Sequence, residues 1–140
     1  GRERKARVIG MDETTDLAII QVALEDTPHL ELTPREPHIG DHVYAIGTPF
    51  GQSHTVTSGI VSAVHRAPMA SRVEDFVQTD AAVNPGMSGG ALVDPYGRLI
   101  GVVDAIFTKT ADIDAGVNFA ISVALLSASI DAQIKAGIKF

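Results

Sequence analysis

One serine stands among three glycines at Gly86-Met87-Ser88-Gly89-Gly90. The surrounding stretch runs from Thr79 to Val93. An Asn84-Pro85-Gly86 turn precedes the serine and the apolar run Ala91-Leu92-Val93 follows it. Glycines two before and one after the serine allow φ values closed to other residues. Such a bend pushes the Ser88 hydroxyl outward and leaves neighbouring N–H groups convergent. Convergent donors suit an oxyanion hole, where they face the negative charge that develops in acyl transfer. The plainer alternative is a glycine-rich loop whose hydroxyl bonds its own backbone. The surroundings must decide.

A serine hydroxyl is a weak nucleophile without an adjacent base. The order of the partners along the chain therefore separates the possible chemistries. Gly-x-Ser-x-Gly also satisfies the nucleophile elbow of α/β-hydrolases. That fold needs a helix directly after the serine and an acid and a histidine downstream of it. Here a strand, a turn and a strand follow Ser88, and the last histidine is His65. The subtilisin order needs a large parallel α/β sheet, which this pattern does not offer. The order His, Asp, Ser on β-barrels puts the aspartate upstream of the serine. Asp16 qualifies by position, since it opens an apolar strand after a polar turn; taken alone, it reads more readily as a turn cap.

The elements that would carry these residues are mostly short strands. Arg4 to Ile9 reads as a strand ended by Gly10, and Met11 to Thr15 as a polar turn. Leu17 to Val22 is a short apolar run fit for a buried strand. A connector with Pro28, Pro34 and Pro37 follows. Strands are then expected at His42 to Ile46, at Thr55 to Val64 with a bend or bulge at Gly59, and at Phe76 to Thr79. Ala91 to Val93 and Leu99 to Ile106 flank the turn Asp94-Pro95-Tyr96-Gly97, and Val117 to Ile121 is the last strand. Only the end reads as helix. Ser122 serves as N-cap, Val123, Leu126, Ile130 and Ile134 recur at helical spacing, and Gly137 supplies the stop. Many short strands broken by turns argue for an antiparallel barrel or sandwich.

Bulk composition narrows the partners. A chain of 140 residues is enough for one domain with a sizeable core. The net charge of −6 argues against a nucleic-acid partner, and Arg2, Arg4, Lys5 and Arg7 read as solvated strand positions. Cysteine is absent, which removes disulfides, thiol nucleophiles and thiolate metal sites. No apolar run approaches the ~18 residues of a membrane span, and no signal peptide opens the chain.

The motifs together resemble the protease domain of the HtrA (high-temperature-requirement, Deg-like) family of trypsin-like serine proteases. Arg7-Val8-Ile9-Gly10 through Thr15-Asp16-Leu17-Ala18-Ile19-Ile20 resembles the segment around that family's catalytic aspartate. Ile39-Gly40-Asp41 through Ala45-Ile46-Gly47-Thr48-Pro49-Phe50-Gly51, then Thr55 to Ser62, resembles the opening of its second barrel. Gln78 to Val93 resembles its nucleophile loop, and Asn118-Phe119-Ala120-Ile121 the strand before its closing helix. The resemblance implies an all-β, trypsin-like double β-barrel fold. Residues 1–30 would be a remnant of the N-terminal barrel and 31–38 the connector. Residues 39–121 would form the C-terminal barrel with the nucleophile loop, and 122–137 the closing helix. It implies Ser88 as nucleophile, Asp16 as the residue that orients the base, and the N–H groups of Gly86 and Ser88 as the oxyanion hole. Substrate would be bound by Asp104, Ala105, Ile106, Asn118, Phe119 and Ala120, with substrate backbone adding as a strand near Asp104 to Ile106.

The chain departs from that pattern in four places. None of His29, His38, His42, His54 and His65 falls where the family has its general base. The base is expected upstream of Gly1, so this chain alone is expected to be inactive. Met87 stands where the family usually has asparagine, and only its backbone is expected to matter. Asp104 stands where small hydroxyl residues are usual; two carboxylates near one another would raise one pKa. Asn118 stands where glycine often lines the specificity pocket. A side chain there favours small or medium apolar residues before the scissile bond.

The function expected is a serine endopeptidase acting on unfolded or extended polypeptides. The alternative is a non-catalytic peptide-binding pseudo-protease. No cofactor, metal or nucleic acid is implied. The resemblance implies a cell-envelope or periplasmic location, a homo-oligomer and an adjoining peptide-binding domain. The strands Arg4 to Ile9 and Leu17 to Val22 look like a barrel's edge without its partners, and such edges template association with another chain.

Overall fold

The structure is a computed structural model, and it describes residues 2–68, 73–104 and 116–140. Eight strands and one helix make up these residues: β1 (Ala6–Asp12), β2 (Leu17–Val22), β3 (His42–Gly47), β4 (Thr55–Arg66), β5 (Phe76–Thr79), β6 (Ala91–Val93), β7 (Leu99–Asp104), β8 (Asn118–Ser122) and α1 (Val123–Lys135). Six of the strands close an antiparallel barrel in the order β3-β4-β5-β8-β7-β6, with β6 returning to β3. Closure leaves the barrel no unpaired edge. β1 and β2 form a separate antiparallel hairpin. The double-barrel expectation thus takes the form of one closed barrel plus a two-stranded sheet. The part of the expected strand that held Ala105 and Ile106 lies outside the described residues.

The barrel is filled by alternate strand positions. Val43 and Ala45 of β3, Val61 of β4, Val77 of β5, Leu92 of β6 and Val103 of β7 are buried together. Each fully buried aliphatic of this size contributes about 1.5–3 kcal/mol. A second cluster, Phe76, Phe119 and Ile121, lies toward the helix and takes in Leu17 of β2 and Leu125 of α1. The rings of Phe76 and Phe119 meet edge to face at 5.7 Å. A lone hairpin is at best marginally stable in water, so Leu17 is one of the contacts that seat β1 and β2 on the barrel. The hairpin's other surface stays in solvent, with Val8, Met11 and Ile20 exposed.

Two local expectations are corrected. Gly10 does not end β1. The register shifts between Val8 and Gly10, and pairing then resumes through Gly10↔Ile19, Met11↔Ala18 and Asp12↔Leu17. The bulge absorbs the irregularity, and the turn is confined to residues 13–16. Gly59 is not a bulge in the β3–β4 ladder, since Val43↔Gly59 pairs in continuous register. The position needs glycine because a Cβ there would sit 2.5 Å from the Ala81 nitrogen and 2.9 Å from its Cα. The bulges of β4 lie further on, against β5, between Val61 and Ala63 and between Ala63 and Arg66.

The helix α1 follows β8 directly. Its caps are as expected. Ser122 Oγ accepts the Leu125 N–H at 3.1 Å. At the other end Gly137, at φ 101°, lets the Gly137 and Ile138 N–H groups bond the carbonyls of Ile134 and Gln133. Ser129 and Gln133 are its buried positions, in line with Leu125. Of the apolar stripe, Val123, Leu126 and Ile130 are half-buried and Ile134 is exposed.

The connector is fixed to the barrel. Leu32 bridges Leu99 in parallel, with Thr33 N–H to the Leu99 carbonyl at 3.0 Å and Leu99 N–H to the Glu31 carbonyl at 2.7 Å.

Candidate active site

Ser88 lies in the connection between β5 and β6 and its residue is exposed. The loop around it is built from backbone. Gly86 takes φ 97° and Gly89 φ 86°, both in the region that favours glycine. At Gly86 no side chain would fit: a Cβ would lie 2.9 Å from the Thr48 carbonyl oxygen and 3.1 Å from the Phe50 nitrogen. The turn Pro49–Gly51 is tied to this loop by the Phe50 N–H, which donates to the Pro85 carbonyl at 3.0 Å. Within the loop, Met87 N–H donates to the Asn84 carbonyl and Gly90 N–H to the Met87 carbonyl. The far side is held by β7, where Gly89 N–H donates to the Val103 carbonyl at 2.8 Å and Val103 N–H to the Gly90 carbonyl at 2.9 Å.

Met87 is not a backbone-only position. Its side chain is completely buried in the barrel core, and its Sδ lies 3.4 Å from the Asn84 N–H. Ser88 faces out because its neighbour faces in. Asp80, just before this loop, accepts the Ile60 N–H of β4 at 2.8 Å.

The other residues singled out from the sequence sit on neighbouring strands. Asp104 ends β7 and pairs across to Phe119; Asn118 pairs with Thr79 and Ala120 with Val77 and Val103. Asn118 is buried, and its Nδ2 donates to the Ala81 carbonyl at 3.0 Å. Its side chain is therefore pinned toward the start of the loop that carries Ser88. Phe119 and Ala120 are buried, and both edges of their strand are occupied, by β5 and β7.

Asp16 is exposed, at φ 59°, in the turn between β1 and β2. Both of its flanks are anchored. Leu17 after it packs on the second cluster. Thr15 before it is buried, its hydroxyl 3.3 Å from Ser129 Oγ of α1. At the start of the turn Asp12 Oδ1 accepts the Thr14 hydroxyl at 2.6 Å and the Thr14 N–H at 3.1 Å, and its Oδ2 accepts the Ser129 hydroxyl at 2.7 Å. These bonds, the Thr14 hydroxyl first and Ser129 next, hold the Asp12 carboxyl at a pKa of about 2. Sequence reasoning passed over Asp12, Ser129 and Gln133. The available signal was a pair of polar residues, four apart, near the end of a helix otherwise rich in Ala, Leu and Ile.

His65 lies elsewhere, on the connector side. It pairs with Glu36 and, through Nδ1, with Asp75 Oδ1 at 2.9 Å. The hydrogen bond and charge of Asp75, then the charge of Glu36, raise its pKa above 6.5. It holds φ 55°, which few non-glycine residues adopt. Among the described residues no cluster of His, Asp and Glu could hold a metal ion, and no helix is long and apolar enough to cross a membrane.

Comparison with known proteins places this geometry. The family model for the trypsin-like peptidase domain matches residues 1–102. A probable periplasmic serine endoprotease, DegP-like, of Halomonas elongata is 44% identical over 124 residues, covering 88% of this chain and 26% of that protein. The serine endoprotease DegS of Salmonella typhimurium is 40% identical over 142 residues, covering 98% of this chain and 40% of its own length. The HtrA-type protease AlgW, solved with a decapeptide, superposes with a TM-score of 0.87 at 43% identity, covering 98% of this chain and 42% of that one. A serine endoprotease from Yersinia pestis superposes at 0.81 with 38% identity, covering 99% of this chain and 47% of its own. This chain thus spans less than half the length of each of these relatives. With a family match over most of its length and a barrel that superposes on HtrA-type structures, the chain belongs to the trypsin-like peptidase domain family, in its HtrA-type branch.

Proposed function

We propose that this chain contributes the nucleophile and the orienting aspartate to an HtrA-type serine endopeptidase. The observation that carries the proposal is the loop around Ser88. It exposes one hydroxyl at a bend that tolerates no side chain at position 86. A peptide-binding module would have no use for that constraint.

In this reading Ser88 Oγ attacks the scissile carbonyl and a histidine outside these 140 residues takes its proton. Asp16 holds that imidazole in the correct tautomer and stabilises the imidazolium that forms. The N–H groups of Gly86 and Ser88 receive the oxyanion. The histidine then protonates the leaving amine, and water hydrolyses the Ser88 acyl-enzyme. Substrates are extended or unfolded polypeptides, consistent with the peptide-bound AlgW structures. The relatives named as periplasmic support a periplasmic or envelope location. Asn118, tethered to the Ala81 carbonyl, restricts the pocket to small or medium apolar residues.

A fluorophosphonate probe applied to the protein expressed from its whole coding sequence tests this. Wild type is expected to label at Ser88, Ser88→Ala not at all, and Asp16→Asn far more slowly. Absence of labelling at Ser88 in a folded wild-type protein would overturn the reading and favour the pseudo-protease.

A further inference from the structure

We propose that Asp12 and Ser129 form a latch through which α1 positions the turn that carries Asp16. The proposal rests on Asp16 being the orienting aspartate. Its geometry stands apart from that assignment.

Burying Ser129 and Gln133 on the inner face of a helix gives up apolar contact unless their polar atoms are used. Ser129 Oγ is fully used. It donates to Asp12 Oδ2 at 2.7 Å, receives Gln133 Nε2 at 3.2 Å and lies 3.3 Å from the Thr15 hydroxyl. A hydroxyl has one proton and two lone pairs, so this set saturates it. Asp12 is used on both oxygens, by Ser129 on one side and by Thr14 on the other. One carboxylate therefore bonds both the helix and the turn, over a separation of 117 residues.

The turn it holds is one that needs holding. Asp16 occupies left-handed backbone, which a non-glycine residue keeps only where its surroundings impose it. The helix, in turn, is seated on the barrel through Leu125 and through the Ser122 cap that ends β8. Asp12 and Ser129 touch no reacting atom in this account. They are positioning residues, and they transmit the placement of the barrel to Asp16.

The test uses the protein expressed from its whole coding sequence, with Ser129→Ala, Asp12→Asn and the conservative Ser129→Thr. Small misplacements of a catalytic group cost up to about a hundredfold. Ser129→Ala and Asp12→Asn are each expected to lower kcat on a peptide substrate about tenfold with KM changed less than about twofold, which is the signature of a defect confined to the transition state. Ser129→Thr should recover most of kcat, and the double variant should be no worse than either single one. In parallel, amide exchange at residues 14–16 should quicken about tenfold in Ser129→Ala while β3 to β8 stay protected. Unchanged kcat and unchanged exchange in Ser129→Ala overturn the latch. If Ser88→Ala retains full activity, the endopeptidase reading fails instead, and the exchange measurement alone decides the latch. Should Ser129→Ala fail to fold, Asp12→Asn carries the same two readouts.

Discussion

Truncating Met87 tests how the nucleophile loop is held. The side chain is fully buried, and it is among the largest that are. Met87→Ala removes three heavy atoms from the barrel core and the acceptor 3.4 Å from the Asn84 N–H. Met→Ala substitutions in cores cost about 2–5 kcal/mol, the spread reflecting how far the site collapses. Collapse is limited here. One wall is Gly47, where an added Cβ would already meet Met87 Cβ and Cγ at 3.0 Å, and β3 is paired on both sides, to β4 and β6. Backbone held that way cannot move in to fill the void. We therefore expect a loss of about 3–4 kcal/mol, a large share of the roughly 5–15 kcal/mol that stabilises a domain. Met87→Leu, which nearly conserves volume, should cost less than about 1.5 kcal/mol. Urea unfolding of the 140-residue chain, followed by circular dichroism, measures both. A loss under about 1 kcal/mol for Met87→Ala would show that the side chain is not part of the core, and that Ser88 does not owe its exposure to its neighbour's burial.

Gly86→Ala should destabilise the chain by about 2 kcal/mol, from left-handed strain and the clash with the Thr48 carbonyl, and should abolish probe labelling at Ser88; normal stability with normal labelling would refute the constraint. His65 should titrate above 6.5 by nuclear magnetic resonance and fall back toward that value in Asp75→Asn. Because its folded pKa is raised, its contribution is complete below pH 6.5 and disappears as pH rises through the folded value; a titration at or below 6.5 contradicts the pairing. Asp12, held at about 2 against 3.8, contributes above pH 3.8 and loses that contribution as pH falls through 2. Asp12 keeps some solvent contact, so screening reduces the effect to about 1 kcal/mol. Asp12→Asn should lower stability by that amount at pH 7 and leave it nearly unchanged at pH 2.

The barrel was legible because its signals are local. Val43 and Ala45 alternate with polar or exposed neighbours, Asp94 to Gly97 marks a hairpin, and Ser122 and Gly137 mark the helix ends. Each of these is written within a few residues of where it acts. The misreadings share a different cause. Gly10 looked like a stop because glycine often is one, but a bulge at Ile9 let β1 run on against β2. Gly59 looked like a bulge, but its need is set by Asp80 and Ala81, some twenty residues away. The apolar repeat of α1 gave no sign of Ser129, whose partner is a carboxylate on β1. Met87 was assigned a backbone role because it stands where the resembled family usually has asparagine, yet its side chain is buried in the barrel core. Periodicity finds a face that seeks apolar company. It does not find one that seeks an aspartate 117 residues away.

The placement of Ser88 and Asp16 runs through one connected set of contacts. Val103 of β7 exchanges hydrogen bonds with Gly89 and Gly90, which fixes the loop that presents Ser88. One residue later Asp104 pairs with Phe119, so β8 inherits the same frame. The Phe119 ring meets Phe76, and Leu17, the residue after Asp16, packs on that cluster. Ser122 ends β8 and caps α1, and Ser129 of α1 holds Asp12 at the other end of the Asp16 turn. Leu17 and Asp12 are themselves cross-strand partners, so the turn is clamped where its two arms meet. The two contacts differ in kind. Leu17 is held by burial, which tolerates small shifts, whereas Asp12 is held by directional bonds to a saturated hydroxyl, which do not. Precision in the location of Asp16 therefore comes from the polar contact and attachment from the apolar one. That division accounts for a serine on the buried face of the helix.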